Sequence, residues 1–311
     1  MNYPTAIDNI LFPTDFSALS ENALNTAIAI CKRHQATLHM LHVVEMRYII
    51  APQEALTTAV YVLPGMEETA AKNMAALADK VKQEAAIDVE TYLLTGNPAD
   101  GITSKAIELG CDLIVMGTHG ASGIRAFFIG TNAYSVIKNT SIPVLTIPGD
   151  REVSAFKKIL FPIRATGGIM EKYDFIEPII EKNQSELVVT ALSLPDETVS
   201  REALDAGMGK LATTLRSNGV LFRAAFYVCD NYAKKVLELA EKTKADLVVI
   251  NATLDYTWSQ FFIGPYTQQV VNHAKIPVLS IRTAWPPAGS PGSAAMTKAG
   301  VQPAGLPYAA R

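Results

Sequence analysis

Short uninterrupted apolar runs alternate along the chain with stretches in which apolar residues recur every three or four positions. The first kind of pattern predicts strands buried on both faces and the second predicts amphipathic helices. Residues 7–12 read as a strand ending at Pro13-Thr14-Asp15, after which Ser17 caps a helix carrying Ala18, Leu19, Ala23, Leu24, Ala27, Ile28 and Ile30. Residues 36–44 form a second strand, followed by a long mixed connection and a helix over about residues 66–84 with Met74, Leu77 and Val81 inward. A third strand spans 89–94. Asn97 and Pro98 then begin a helix as cap and first residue, with Ile102, Ala106, Ile107 and Leu109 facing the interior. Residues 113–116 make a fourth strand, and 133–139 a helix with Thr131 or Asn132 near its N-cap. Residues 142–147 make a fifth strand, whose Pro143 argues for a sheet edge or for the first position of the strand.

The pattern then repeats. Lys157-Lys-Ile-Leu-Phe-Pro162 echoes Asp8-Asn-Ile-Leu-Phe-Pro13, and Ala274-Lys-Ile-Pro-Val-Leu-Ser-Ile281 echoes Thr140-Ser-Ile-Pro-Val-Leu-Thr-Ile147. The first strands are offset by 149 positions (162 − 13) and the last glycines by 134 (264 − 130), so the second copy is 15 residues shorter. The loss falls where residues 194–218 replace 45–86. This gives a domain over residues 1–149, a second over 150–284, and a tail over 285–311 whose Pro, Gly, Ala and Ser content predicts disorder. Strands alternating with helices imply α/β domains, each a doubly wound, five-stranded parallel sheet with right-handed crossovers. Ligands of such sheets lie beyond the carboxyl ends of the strands, where Asp15, Val43 and the loop after Gly117 would meet.

Composition narrows the function classes. A formal charge of −3 and a pI near 6.0 provide no basic field, which argues against nucleic acid as a partner. Cys31, Cys111 and Cys229 lie far apart and match no zinc or redox spacing, as expected for reduced thiols in a cytoplasmic protein. No leader-like N-terminus is read, and the greasiest stretch outside the strands, residues 48–63, is broken by Pro52, Gln53 and Glu54. The expectation is a soluble, unexported chain with no membrane partner.

The richest chemistry lies between Asp112 and Asn132. Gly117 and Gly120 let the backbone approach a ligand, and Gly130-Thr131-Asn132 opens a helix whose free N–H groups suit an anion. Arg125 is a candidate for phosphate neutralisation, and His119 for a phosphate contact. Asp15 has two readings, hydrogen-bond acceptor for a ligand or cap of the following helix. His39 and His42 lack partners at ligand spacing and read as strand histidines, so no protein metal site is expected. Magnesium would accompany a phosphate ligand, held by phosphate oxygens, waters and Thr131. There is no nucleophile elbow, no P-loop lysine and no dinucleotide fingerprint, so catalytic residues are not assigned.

Gly117-x-x-Gly120, nine residues, then Gly130-Thr131 resembles the nucleotide-binding signature of the ATP-binding branch of the universal stress proteins, and Ile-Pro-Val-Leu resembles that family's last strand. The resemblance covers both repeats, so the chain is similar to a tandem universal stress protein. It implies strand order 3-2-1-4-5, an adenine nucleotide alpha hydrolase-like fold, and terminal strands paired across a two-fold axis as an intramolecular pseudo-dimer. By the same resemblance Pro13, Thr14, Asp15 and Val43 would surround adenine and ribose. Met116, Gly117, His119, Gly120, Gly130, Thr131 and Asn132 would hold ribose and phosphates. ATP is the implied ligand, with AMP as an alternative, and the implied role is a stress-response sensor or regulator with a protein partner that the sequence does not name. A further homodimer is compatible with it.

The second copy departs from this pattern. Arg164 stands at the position of Asp15, Asn251 at Gly117, Leu254 at Gly120 and Pro265 at Thr131; Gly264 alone remains. Its crevice is therefore expected to be empty or differently occupied. The alternative functions are a slow nucleotide hydrolase of the same fold and a ligand-free dimeric scaffold.

Overall fold

The computed structural model describes residues 6–49, 59–61, 65–118, 129–149, 153–164, 168–195, 198–252, 254–255 and 262–282. The first repeat runs β1 (Asn9–Pro13), α1 (Ala18–His34), β2 (Thr37–Glu45), β3 (Arg47–Ile49), β4 (Ala59–Tyr61), α2 (Met66–Ala85), β5 (Val89–Gly96), α3 (Pro98–Glu108), β6 (Leu113–Gly117), α4 (Thr131–Asn139) and β7 (Val144–Ile147). The second runs β8 (Lys158–Ile163), α5 (Ile169–Asn183), β9 (Glu186–Ser193), α6 (Thr198–Ser217), β10 (Phe222–Val228), α7 (Tyr232–Thr243), β11 (Leu247–Asn251), β12 (Leu254–Asp255), β13 (Phe262–Ile263), α8 (Pro265–His273) and β14 (Val278–Ile281).

Consecutive apolar residues in the strands are buried because both sheet faces are covered. Ile10 and Phe12 enter the core under α1, α2, α5 and α6, whereas Leu11 points to the core under α3, α4, α7 and α8. Each repeat has the order 3-2-1-4-5, and the two join edge to edge into one ten-stranded sheet, β10-β9-β8-β11-β14-β7-β6-β1-β2-β5. All neighbours in it are parallel except the central pair β7 and β14, where Leu145 faces Leu279. These leucines are equivalent residues, 134 apart (279 − 145), so a pseudo-two-fold axis passes between them. Thr146 Oγ1 adds a cross-strand bond to the Val278 carbonyl at 3.1 Å.

Two of the sequence expectations change. Pro143 marks neither an edge nor a strand position: β7 lies at the centre of the joined sheet and begins one residue later, and the Pro143 carbonyl accepts from Ile114 N at 3.0 Å. Proline lacks only its own N–H, so the ladder loses nothing it used there. Ile107 is 60% exposed, because a residue one step beyond Ala106 is rotated by about 100° around the helix. The shortening of the second repeat also has a concrete form. The β3–β4 antiparallel pair sits between β2 and α2, while among the described residues nothing corresponds to it between β9 and α6.

Equivalent aspartates brace the start of each first strand. Asp112 Oδ2 accepts from Asp8 N and Asn9 N at 2.8 and 3.0 Å, and Asp246 Oδ2 accepts from Lys158 N at 2.9 Å. Cys31, Cys111 and Cys229 are free thiols, and burial pushes the first two up to about 12. Among the described residues no helix is long and apolar enough to cross a membrane.

Candidate functional site

At the carboxyl ends of the first repeat's strands opens a cleft of about 1440 Å³, counted out to its mouth. Pro13 at the end of β1, Thr14 and Asp15 after it, Val43 in β2, Met116 and Gly117 at the end of β6, and Gly130, Thr131 and Asn132 at the start of α4 all line it. Three strand ends and one helix start thus bring together nine residues that are scattered over 120 positions of sequence. His119, Gly120 and Arg125 lie outside the described residues.

The turn after β1 is held by its own side chains. Thr14 N donates to the Leu41 carbonyl at 2.8 Å, continuing the β1–β2 ladder, and Thr14 Oγ1 lies 3.1 Å from Ser20 Oγ and accepts from Phe16 N at 3.0 Å. Phe16 takes a left-handed conformation, φ 61°. Asp15 Oδ1 accepts from both Ser17 N (3.0 Å) and Ser17 Oγ (2.6 Å), while Ser17 itself caps α1 through Ser20 N. The cap of α1 is therefore Ser17 and not Asp15, whose carboxylate acts one step back. One carboxylate oxygen orients the capping serine, and the residue still borders the cleft.

The start of α4 differs from expectation in one respect. Gly130 is the N-cap, with φ −58° and ψ 149° and no side-chain cap, and Thr131 is the first helical residue. Gly130 N donates to the Thr118 carbonyl at 2.7 Å, and its own carbonyl receives Tyr134 N at 3.0 Å. Thr131 and Asn132, both exposed, thus bring the first helical N–H groups and a hydroxyl to the cleft wall.

His42 also lines the cleft, which its sequence context did not reveal. Its Nδ1 lies 2.8 Å from the Thr14 carbonyl, and because a carbonyl only accepts, Nδ1 carries the proton. Its ring lies 4.5 Å from that of Phe16. It remains a satisfied strand histidine, as its sequence predicts, while adding an aromatic edge to the cleft. The only available signal was its place beside Val43. His39 lies on the same strand, held by Asn9 Oδ1 at 3.0 Å and facing Glu90; burial lowers its pKa, partly offset by that carboxylate. Among the described residues no group of three or more His, Cys, Asp or Glu side chains could hold a metal ion.

The corresponding place in the second repeat is built differently. The Arg164 guanidinium lies over the ring of Tyr266 at 3.8 Å and near that of Tyr232 at 5.4 Å, and its Nη2 is buried without an acceptor. Tyr266 occupies the position of Asn132, so this stack lies where Asn132 borders the cleft of the first repeat. Asn251 is buried at the position of Gly117, with its amide 3.5 Å from the Gly168 carbonyl. Behind them Lys172 is 2% exposed, donates to the Pro162 carbonyl at 2.5 Å and lies over the Phe161 ring. Burial, reinforced by Arg164, holds its ammonium well below the usual range. Pro265 begins α8, after Gly264 at φ −54° and ψ 146°.

Comparison with known proteins agrees with this architecture. The model of the Universal stress protein family matches residues 6–148 and 181–282. A universal stress protein of Bacillus subtilis, YxiE, is 31% identical over 147 residues, which is 45% of this chain and 98% of that protein. One from Methanocaldococcus jannaschii is 34% identical over 140 residues, 44% of this chain and 80% of that protein. Each relative thus corresponds to about one repeat. The crystal structure of a universal stress protein from Archaeoglobus fulgidus covers 91% of this chain and 99% of its own, with a TM-score of 0.70 at 17% identity, a likeness of fold. With the family model matching both repeats across most of the chain, this protein belongs to the universal stress protein family.

Proposed function

We propose that the cleft of the first repeat binds an adenine nucleotide, ATP or AMP, and that the protein acts as a nucleotide-dependent sensor or regulator in the stress response. The observation that carries this reading is the convergence on one open cleft of the Thr14–Asp15 turn, Val43, Met116–Gly117 and the Gly130–Asn132 helix start. An apolar wall of Val43 and Met116 suits a base, a carboxylate suits ribose hydroxyls, and N–H groups at a helix start suit phosphate. Magnesium would come with the phosphates, with the Thr131 hydroxyl as the protein oxygen nearest the helix start. In this reading the second repeat, where Arg164 stacks on Tyr266, completes the pseudo-dimer and takes no nucleotide. The cytoplasm is the compartment that this reading requires.

Thr131→Pro transplants the second repeat's residue into the first. Gly130 and Gly264 share nearly the same backbone angles, so proline fits after Gly130 without strain, yet it removes an N–H and the hydroxyl. Equilibrium dialysis with ATP and magnesium should give saturable binding of one nucleotide per chain, weakened about tenfold or more in Thr131→Pro at unchanged melting temperature. Absence of saturable binding, or indifference to this substitution, overturns the nucleotide reading. Two nucleotides per chain overturn the assignment of the second repeat. Sustained turnover of several ATP per second would favour the hydrolase alternative.

A further inference from the structure

The helix start that borders the cleft is held from the other half of the molecule. Ile129 N donates to Asn272 Oδ1 at 2.8 Å, a bond spanning 143 residues from the second repeat's α8 to the residue before Gly130. The next amide, Gly130 N, is bound within the first repeat by the Thr118 carbonyl at 2.7 Å. Two successive N–H groups are therefore fixed, one by each repeat, immediately before the residues Thr131 and Asn132 that line the cleft. The contact between α4 and β13 joins the two repeats at the same place.

The arrangement is directional. The offset of 134 (264 − 130) makes Ile263 the equivalent of Ile129 and Lys138 the equivalent of Asn272. An ammonium has no acceptor, so Lys138 cannot return this bond to the second repeat. The pseudo-symmetric interface thus gives Ile129 a side-chain acceptor from the second repeat, and the equivalent position of the first repeat holds a lysine that cannot supply the same bond.

We infer that Asn272 is a positioning residue for the first repeat's site, and that the second repeat regulates nucleotide affinity through it. The effect on nucleotide rests on the reading given under Proposed function, whereas the positioning of the loop does not. A backbone N–H deprived of its acceptor lets Ile129 and Gly130 sample other conformations. The N–H groups of Thr131 and Asn132 are then no longer pre-aimed at the ligand, and binding has to restore that order.

The test uses the full-length protein and three variants: Asn272→Ala, which removes the acceptor, Asn272→Asp, which keeps an oxygen, and Gln268→Ala on the exposed face of α8. Hydrogen exchange without ligand should show the Ile129 amide exchanging at least about fivefold faster in Asn272→Ala, with Asn272→Asp and Gln268→Ala near wild type. Isothermal titration with Mg-ATP should show Asn272→Ala binding about fivefold more weakly, with the melting temperature and the affinity of Gln268→Ala unchanged. Unaltered exchange at Ile129 in Asn272→Ala overturns the positioning role, and faster exchange with unaltered affinity overturns the coupling to ligand. If wild-type protein takes up no nucleotide, the functional reading falls, while the exchange measurement still decides the positioning.

Discussion

At the scale of single residues, the two repeats place unlike side chains at equivalent positions beyond their strand ends. Asp15 and Arg164 occupy equivalent positions after the first strand of each repeat. The short carboxylate folds back onto Ser17, while the long guanidinium reaches across to Tyr266 and Tyr232. Lys172 deepens the asymmetry, since its counterpart is the small, fully buried Ala23, 149 positions earlier (172 − 23). A buried cation with a depressed pKa costs stability wherever the unfolded lysine is protonated and the folded one resists protonation. Wild-type stability should therefore rise with pH up to the unfolded value near 10.5. Lys172→Met fills the same space without charge and should stabilise the protein by about 1–4 kcal/mol at neutral pH, an advantage that shrinks as pH approaches 10. Urea melts at pH 7 and pH 10 measure it; a destabilised variant would show that the bond to Pro162 and the Phe161 contact outweigh burial.

At the scale of elements, α1 and α5 border one cavity beside the pseudo-two-fold axis with unlike residues at equivalent places. His34 ends α1 and Asn183 ends α5, 149 positions apart (183 − 34), and both border a small apolar cavity with Leu145 and Leu279. Asn183 is satisfied, accepting from Phe156 N and donating to the Ile179 carbonyl. His34 is held down to about 4, first by burial, then by Lys182 and Arg33, with Asp8 opposing. Because the folded value lies below the unfolded one near 6.5, the folded state prefers the neutral ring. Stability is thus lost as pH falls from 6.5 towards 4. His34→Asn removes that titration. Denaturation midpoints should converge with wild type near pH 7 and separate on acidification by an order of 1–2 kcal/mol for this half-buried ring, the variant being the more resistant. Equal acid sensitivity of the two proteins would exclude His34 as the cause.

At the scale of the whole molecule, β7 and β14 make two repeats into one sheet, and each hydrophobic core runs across the junction. Leu145 and Leu279 sit at its centre, 2% and 0% exposed. Truncating either removes apolar contacts that serve both repeats. Leu279→Ala should cost about 2–5 kcal/mol and move a single cooperative transition, because the repeats share the cores that would have to separate. Calorimetry of the variant decides between this and independent repeats, which would melt in two steps. The continuity also explains how Asn272 reaches Ile129, since the antiparallel pairing of β7 and β14 brings the end of α8 to the residue that precedes Gly130.

The sequence by itself determined the strands of the main sheet, the helices between them and their grouping into two repeats, but not the short β3–β4 and β12–β13 pairs. Buried parallel strands demand continuous apolar runs, helices demand a recurrence every three or four residues, and a repeated Ile-Pro-Val-Leu ending exposes the duplication. The candidate cleft was legible to the extent that the glycines, Thr131 and Asp15 have few other reasons to stand where they do. What only the tertiary structure decided depends on contacts between distant residues. Ile107 needed the rotation of α3, and Pro143 needed a neighbour for β7. His42 needed the register that sets it against Thr14, and Arg164 needed the two tyrosines that receive it. Asn272 is the extreme case: its one acceptor oxygen acquires meaning only where the pseudo-two-fold axis brings it to the Ile129 amide, a juxtaposition that no local pattern encodes.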